Sequence, residues 1–197
     1  MKANIEKAVL QSLRIEQKGI GDMAGAIDLQ SVDRLISILN RADRIITCAS
    51  GSSGFAAMKF AHTLCCIERP AKFMSPAEAI HGGLGFVKKG DPVIIVSRGG
   101  KTTELLPIID VCCKKGAYII GVTENQSSYL AEKSDMILPL VVDKESDPLN
   151  LMASTSFIAT ITLFDAIIAG IMEDSDYKEE QFALIHPGGA VGQLLNS

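Results

Sequence analysis

The sequence predicts a three-layer α/β/α sandwich on a doubly wound, mostly parallel five-stranded sheet. Three observations carry that prediction. Short runs rich in Val and Ile lack polar alternation, helix-length segments separate them, and two of the runs end in turns made of glycine and hydroxyl residues. A run that is apolar throughout is a strand covered on both faces, and parallel neighbours need helical crossovers between them.

The chain opens with helices over about residues 1–42. Ile5, Val9 and Leu13 share one helical face, and Leu35, Ile36, Ile38 and Leu39 mark a second apolar helix. "RIITCAS" (44–50) then reads as a strand, "GSSG" as a glycine loop, and the residues to about Glu68 as a helix. "AKFMS" (71–75) is a short strand, after which Ser75 is placed as N-cap, Pro76 as the first helical residue and Glu78 as the partner closing a capping box. "DPVIIVS" (91–97) is a buried strand followed by a helix from Thr103 to Lys115, with Gly116 as its stop. "AYIIGVT" (117–123), a short helix near Tyr129 to Lys133 and "MILPL" (136–140) complete the alternation. The late run Leu149 to Met172 is long and apolar, with Asp165 as its sole charge. Its early Ser and Thr residues, Asn150 and Asp165 disfavour a lipid span, so a buried or subunit-interface helix is expected.

At 197 residues the chain is long enough to bury a core without disulfides or structural metal, and a net charge of −4 gives no basic excess to draw nucleic acid. Cys48, Cys65, Cys66, Cys112 and Cys113 are odd in number and match no zinc or redox spacing, which implies reduced, mostly buried cytosolic thiols. The charged N-terminus has no signal-peptide core, so a cytoplasmic protein without a membrane partner is expected.

Ligands of such sheets bind beyond the carboxyl ends of the strands. That rule nominates "SGSSG" (50–54), "SRGGKTTE" (97–104) and "VDKESDPLN" (142–150). Gly100, Lys101 and Thr102 imitate the second half of a nucleotide-binding P-loop, but Ile95 occupies the place of its first glycine, so the spacing excludes one. Nor does Gly51 begin a dinucleotide fingerprint, because Ser53 and Ala56 stand where glycines are required. What remains is anion chemistry: Ser50, Gly51, Ser52 and Ser53 in one loop, and Ser97, Gly99, Gly100, Lys101, Thr102 and Thr103 in the other, each before a helix N-terminus. Two such loops converge on one phosphate. No cofactor and no metal are implied.

The motifs together resemble the sugar isomerase (SIS) domain, and within it the arabinose-5-phosphate isomerase family, from about Ile46 to Leu195. "SGSSG" resembles that family's first phosphate loop, "SPAEAIHGGLG" (75–85) its P-x-E-A-x-H-G-D-L-G segment, and "SRGGKTTE" its S-x-S-G-E-S-x-E loop. "KESDPLNLMASTSF" (144–157) and "FALIHPGGAVGQLL" (182–195) are similar to its last two signatures. The resemblance implies an SIS-type sandwich, one domain over residues 1–197, and site residues at Glu104, Glu145, His81 and His186. It also implies a homodimer or homotetramer in which histidine-bearing segments reach a neighbour's site. Three positions depart from the pattern: Ser52 replaces a lysine, Gly83 an aspartate and Lys101 a glutamate, as if the phosphate's cation had changed loops. Longer family members continue into paired CBS modules, which a chain ending at Ser197 is expected to lack.

The implied function is aldose–ketose isomerisation of a sugar phosphate, first choice arabinose 5-phosphate and ribulose 5-phosphate, through an enediol. Glu145 or Glu104 would move the carbon-bound proton and His186 would serve ring opening or the oxygen proton. A sugar-phosphate-binding SIS module without catalysis, and an enzyme like 3-hexulose-6-phosphate isomerase, are the alternatives. His62 matches no family position and is read as structural.

Overall fold

The computed structural model describes residues 2–195; Met1, Asn196 and Ser197, which the sequence reading assigns to the same domain, lie outside them. Five strands, β1 (Ile45–Ala49), β2 (Ala71–Phe73), β3 (Pro92–Val96), β4 (Tyr118–Thr123) and β5 (Met136–Pro139), form one sheet in the order β2-β1-β3-β4-β5. Every pairing is parallel, so "mostly parallel" becomes wholly parallel. The strand order reverses between β1 and β3, which opens a crevice at their carboxyl ends.

The strands' period of two sorts their side chains onto two covered faces. Ile45, Ala49, Ile94, Val96, Ile120 and Val122 join one apolar cluster, whereas Ile46, Cys48, Val93, Ile95 and Ile119 join the other. On the first face lie α1 (Ala3–Ala26), α2 (Leu29–Arg41), α3 (Gly51–Cys65) and α7 (Thr155–Asp174); on the second lie α4 (Pro76–Ile80), α5 (Leu106–Lys115) and α6 (Tyr129–Lys133). Two short helices, α8 (Glu179–Ile185) and α9 (Gly189–Leu195), follow. Neither was assigned from the sequence, because each is too short for a helical period to show. At the centre of the first face Phe60 of α3 stacks on Phe164 of α7, with ring centroids 4.1 Å apart.

Local signals explain several boundaries. Ser75 Oγ accepts the Glu78 N–H at 3.2 Å and Pro76 begins α4, as expected. The capping box does not close in the usual way: Ser75 Oγ donates to Glu78 Oε2 at 3.2 Å. The helix predicted from Thr103 starts only at Leu106, after a 3-10 turn over Thr103–Leu105. Pro107 has no N–H to give the Thr103 carbonyl, which takes the Leu106 N–H instead. Gly116 stops α5 in the left-handed region, at φ 68°.

The run from Leu149 to Met172 is not one helix, since α7 starts at Thr155. Asp147 explains the delay: its carboxylate accepts the N–H groups of Leu149, Leu151 and Met152, giving that backbone an alternative to helix. These three apolar side chains are exposed. The remainder, α7, is long and apolar enough to cross a membrane by length and composition, yet half of it is buried against α1, α2 and α3. Asp165 forms an ion pair with Lys59 of α3. The face of α1 that bears Ile5, Val9 and Leu13 stays exposed.

The thiols correct another expectation. Only Cys48 and Cys112 are buried; Cys66 is half-buried and Cys65 and Cys113 are exposed, all free. Burial pushes the Cys48 thiol up to about 12 and that of Cys112 up to about 11, so these two are core-filling groups and not nucleophiles.

Candidate active site

Both nominated glycine loops lie at the carboxyl edge, on either side of the strand-order reversal. Ser50 ends β1 and is the N-cap of α3, but its hydroxyl makes no capping bond. Ser50 and Ser53 are half-buried, Gly51 and Ser52 exposed. The first N–H groups of a helix have no acceptor within it, so the start of α3 offers backbone donors beside the serine hydroxyls of the loop.

The β3 loop is built differently from the reading of its sequence. Ser97 and Thr102 were expected to present their hydroxyls to a ligand. Instead Ser97 is buried, its hydroxyl accepts the Gly100 N–H at 3.1 Å, and it shares a 2.9 Å hydrogen bond with the Thr102 hydroxyl. These groups hold the turn closed. Gly100 is required there: φ is 63°, and a Cβ would lie 2.0 Å from Ser128 Oγ. Gly99, Lys101 and Thr103 are exposed, and among the described residues Lys101 has no ion-pair partner.

Glu104 sits in the 3-10 turn that follows, exposed, with one hydrogen bond, from the Thr103 hydroxyl at 3.0 Å. It lines a cleft of about 390 Å³ with Ser50, Gly51, Phe55, Ser75 and Pro76. Lys101, Thr102 and Thr103 do not line that cleft.

Glu145 stands in a contrasting environment. Its side chain is 3% exposed, and it lines a separate cleft of about 340 Å³ with Lys7, Gln11 and Lys144. Oε1 accepts from Arg98 Nη1 at 2.6 Å. Oε2 accepts from Ser154 N at 2.9 Å, Ser154 Oγ at 3.3 Å and Ser156 N at 3.0 Å. Glu145 is thus the anion at the positive end of α7, a 20-residue helix. Burial is the largest influence and acts to raise its pKa. The hydrogen bonds from Ser156 and Ser154 and the Arg98 guanidinium together outweigh burial, and the carboxyl is held below the usual glutamate range.

The structure does not gather the two histidines with the glutamates. His81 caps α4 at its C-terminal end, exposed, on a helix that packs against the turn bearing Glu104. His186 follows α8, where its ring stacks on Phe182 at 3.7 Å and Nδ1 lies 3.0 Å from the Phe182 carbonyl. Gln181 of α8 is tied to Glu68 and Tyr177 to the Cys66 carbonyl, both near the amino end of the sheet. His62 lies 3.6 Å from Cys66 Sγ, away from the loops. Among the described residues no group of three His, Cys, Asp or Glu side chains is placed to hold a metal ion.

Arg98 escaped the sequence reading. The signal was an arginine inside a glycine loop with acids, Glu124 and Glu145, in the two loops that follow in the sheet.

A parallel sheet in the order 2-1-3-4-5, with glycine-and-hydroxyl loops at its reversal point, defines a doubly wound α/β protein. The SIS domain family matches residues 38–170, and the chain belongs to it. It is 34% identical over 199 residues to arabinose 5-phosphate isomerase KdsD of Francisella tularensis, an alignment covering 99% of this chain and 60% of that protein. The chain therefore spans about 60% of the length of that relative. A crystal structure from Listeria monocytogenes, described as a candidate sugar-phosphate isomerase, shares 39% identity at a TM-score of 0.90, covering 95% of this chain and 99% of that one. An Escherichia coli CFT073 protein solved in complex with arabinose 5-phosphate shares 29% identity at a TM-score of 0.88, covering 95% of this chain and 100% of that one.

The ionised state of Glu145 makes a prediction for stability. A carboxyl whose pKa is depressed by folding stabilises above its unfolded value, about 4.3, and that stability is lost as pH falls through the folded value. Glu145→Gln is expected to lose about 1–3 kcal/mol at pH 7. Urea titrations should show the gap to wild type closing below the ordinary glutamate value; a gap unchanged at acid pH would contradict the assigned charge.

Proposed function

We propose that the protein is a sugar-phosphate isomerase, with arabinose 5-phosphate and ribulose 5-phosphate as substrate pair. The observation that carries this reading is the cleft at the β1/β3 reversal, where Ser50 and Gly51 of the first loop face the same space as Glu104. A phosphate fits the start of α3, and the sugar then extends toward a carboxylate that is free to take a proton.

The chemistry follows from the contrast between the glutamates. A base must reach the proton beside the carbonyl with an unoccupied lone pair. Glu104 is exposed and has one hydrogen bond, whereas both oxygens of Glu145 are engaged. Glu104 is therefore the base that removes the proton to form the enediol and returns it to the neighbouring carbon. Glu145 supports the site as a fixed charge. His81 stands at the other end of α4 from Pro76 and Ala77, which line this cleft, and His186 takes part from a second copy of the chain, since its own α8 is anchored elsewhere.

That last assignment needs a homo-oligomer. Ile5, Val9 and Leu13 on α1, Phe55 and Met58 on α3, and Leu149, Leu151 and Met152 in the β5 loop are apolar, exposed and available for it. The packing of α7 inside the chain supports a soluble protein.

Incubation with pentose and hexose phosphates in heavy water, followed by NMR, tests the activity. Deuterium beside the carbonyl together with ketose formation is expected, and Glu104→Gln should slow both by about 10²–10⁴-fold. Stabilisation by a sugar phosphate without deuterium uptake would favour the non-catalytic binding module. Lys101→Ala should raise KM for the sugar phosphate by about ten-fold, the scale of a charge-assisted hydrogen bond; an unchanged KM removes Lys101 as the phosphate's cation. Light scattering should give the mass of a dimer or tetramer, and a single-chain mass would rule out a shared site.

A further inference from the structure

We infer that Arg98 is a positioning residue of the isomerase site, fastening the β3 glycine loop, through Glu145, to the N-terminus of α7. The inference rests on the proposed activity for its kinetic meaning and on geometry for its substance. Arg98 lies between Ser97 and Gly99, within the loop itself. Its carbonyl accepts the Thr123 hydroxyl at 3.0 Å and the Glu124 N–H at 3.0 Å, which fixes the loop to the end of β4. Its guanidinium then forks: Nε donates to Glu124 Oε2 and Nη1 to Glu145 Oε1, each at 2.6 Å.

Continuity is what gives this contact its consequence. Glu145 passes the connection on through Ser154 and Ser156 to α7, and its own N–H is held by Asn150 Oδ1 at 2.6 Å. Ser146, the next residue, donates its N–H to Ser154 Oγ at 2.8 Å and its hydroxyl to Glu16 of α1 at 2.8 Å. A movement of Arg98 is therefore transmitted to the β5 loop and the start of α7. The fork also requires arginine. A lysine ammonium is a point charge that serves one carboxylate well, where the planar guanidinium serves two in fixed directions.

Arg98 does not line the cleft bearing Glu104 but holds the loop that carries Lys101, the proposed cation for the phosphate, so its effect is on binding more than on turnover. Removing it strands a buried carboxylate, and Arg98→Met is expected to weaken the fold. Arg98→Lys keeps a charge, and Arg98→Met combined with Glu145→Gln removes the stranded one; both keep the role measurable.

Two experiments decide it. In the ligand-free protein, amide hydrogen exchange at Ser154 and Ser156 should accelerate by about ten-fold in Arg98→Met and be partly restored in Arg98→Lys. With arabinose 5-phosphate, Arg98→Met should raise KM by about ten-fold with kcat changed by no more than about three-fold, and the double variant should be no worse than Glu145→Gln alone. Exchange that is unchanged, a loss confined to kcat, or effects of Arg98→Met and Glu145→Gln that simply add would each overturn the inference. A wild-type protein that neither binds nor converts sugar phosphates would remove the isomerase reading, while the exchange comparison still decides the link from Arg98 to α7.

Discussion

The carboxyl edge of the sheet depends on how one buried negative charge is compensated. Glu145 is almost wholly withdrawn from solvent, and an isolated carboxylate there would be protonated or would disrupt its surroundings. Arg98 and the first turn of α7 supply the compensation from two directions, one with a guanidinium and the other with backbone N–H groups aimed by a helix. Because those partners come from the β3 loop and the longest helix on its face of the sheet after α1, satisfying the charge also fixes where the loops stand. Electrostatics at this edge is thus also geometry.

The same constraint separates two residues of identical chemistry. Glu104 and Glu145 both follow strands of the sheet, yet they open onto different clefts and differ in exposure and bonding. A carboxylate surrounded by donors is a poor base, because its lone pairs are occupied and its conjugate acid is disfavoured. The proposed division of their roles follows from environment rather than residue type.

Much of the architecture was legible because it rests on short-range patterns. Val93, Ile94, Ile95 and Val96 announce a strand buried on both faces, and Ser75, Pro76 and Gly116 mark helix ends through their own backbone chemistry. The failures share a cause: a side chain claiming backbone groups in a way that spacing does not reveal. Asp147 captured three N–H groups and postponed α7 from Leu149 to Thr155, and Ser97 spent its hydroxyl on closing its own turn. The candidate site was legible only loop by loop. Its central contact joins residues 47 positions apart, and no local pattern ties Arg98 to Glu145. The place of His186, on an arm fastened near the amino end of the sheet, was equally invisible, because it depends on Gln181 meeting Glu68.

In the proposed function the sugar phosphate lies across the β1/β3 reversal with Glu104, and not Glu145, against its reacting carbons. A crystal structure of the protein soaked with arabinose 5-phosphate tests it most directly. The phosphate is expected at the start of α3 beside Ser50 and Gly51, with a Glu104 carboxylate oxygen about 3–3.5 Å from C1 or C2 and the Arg98–Glu145 pair intact. A sugar bound in the cleft beside Lys7 and Lys144, or a Glu145 carboxylate released from Arg98 and turned onto the sugar, would contradict it.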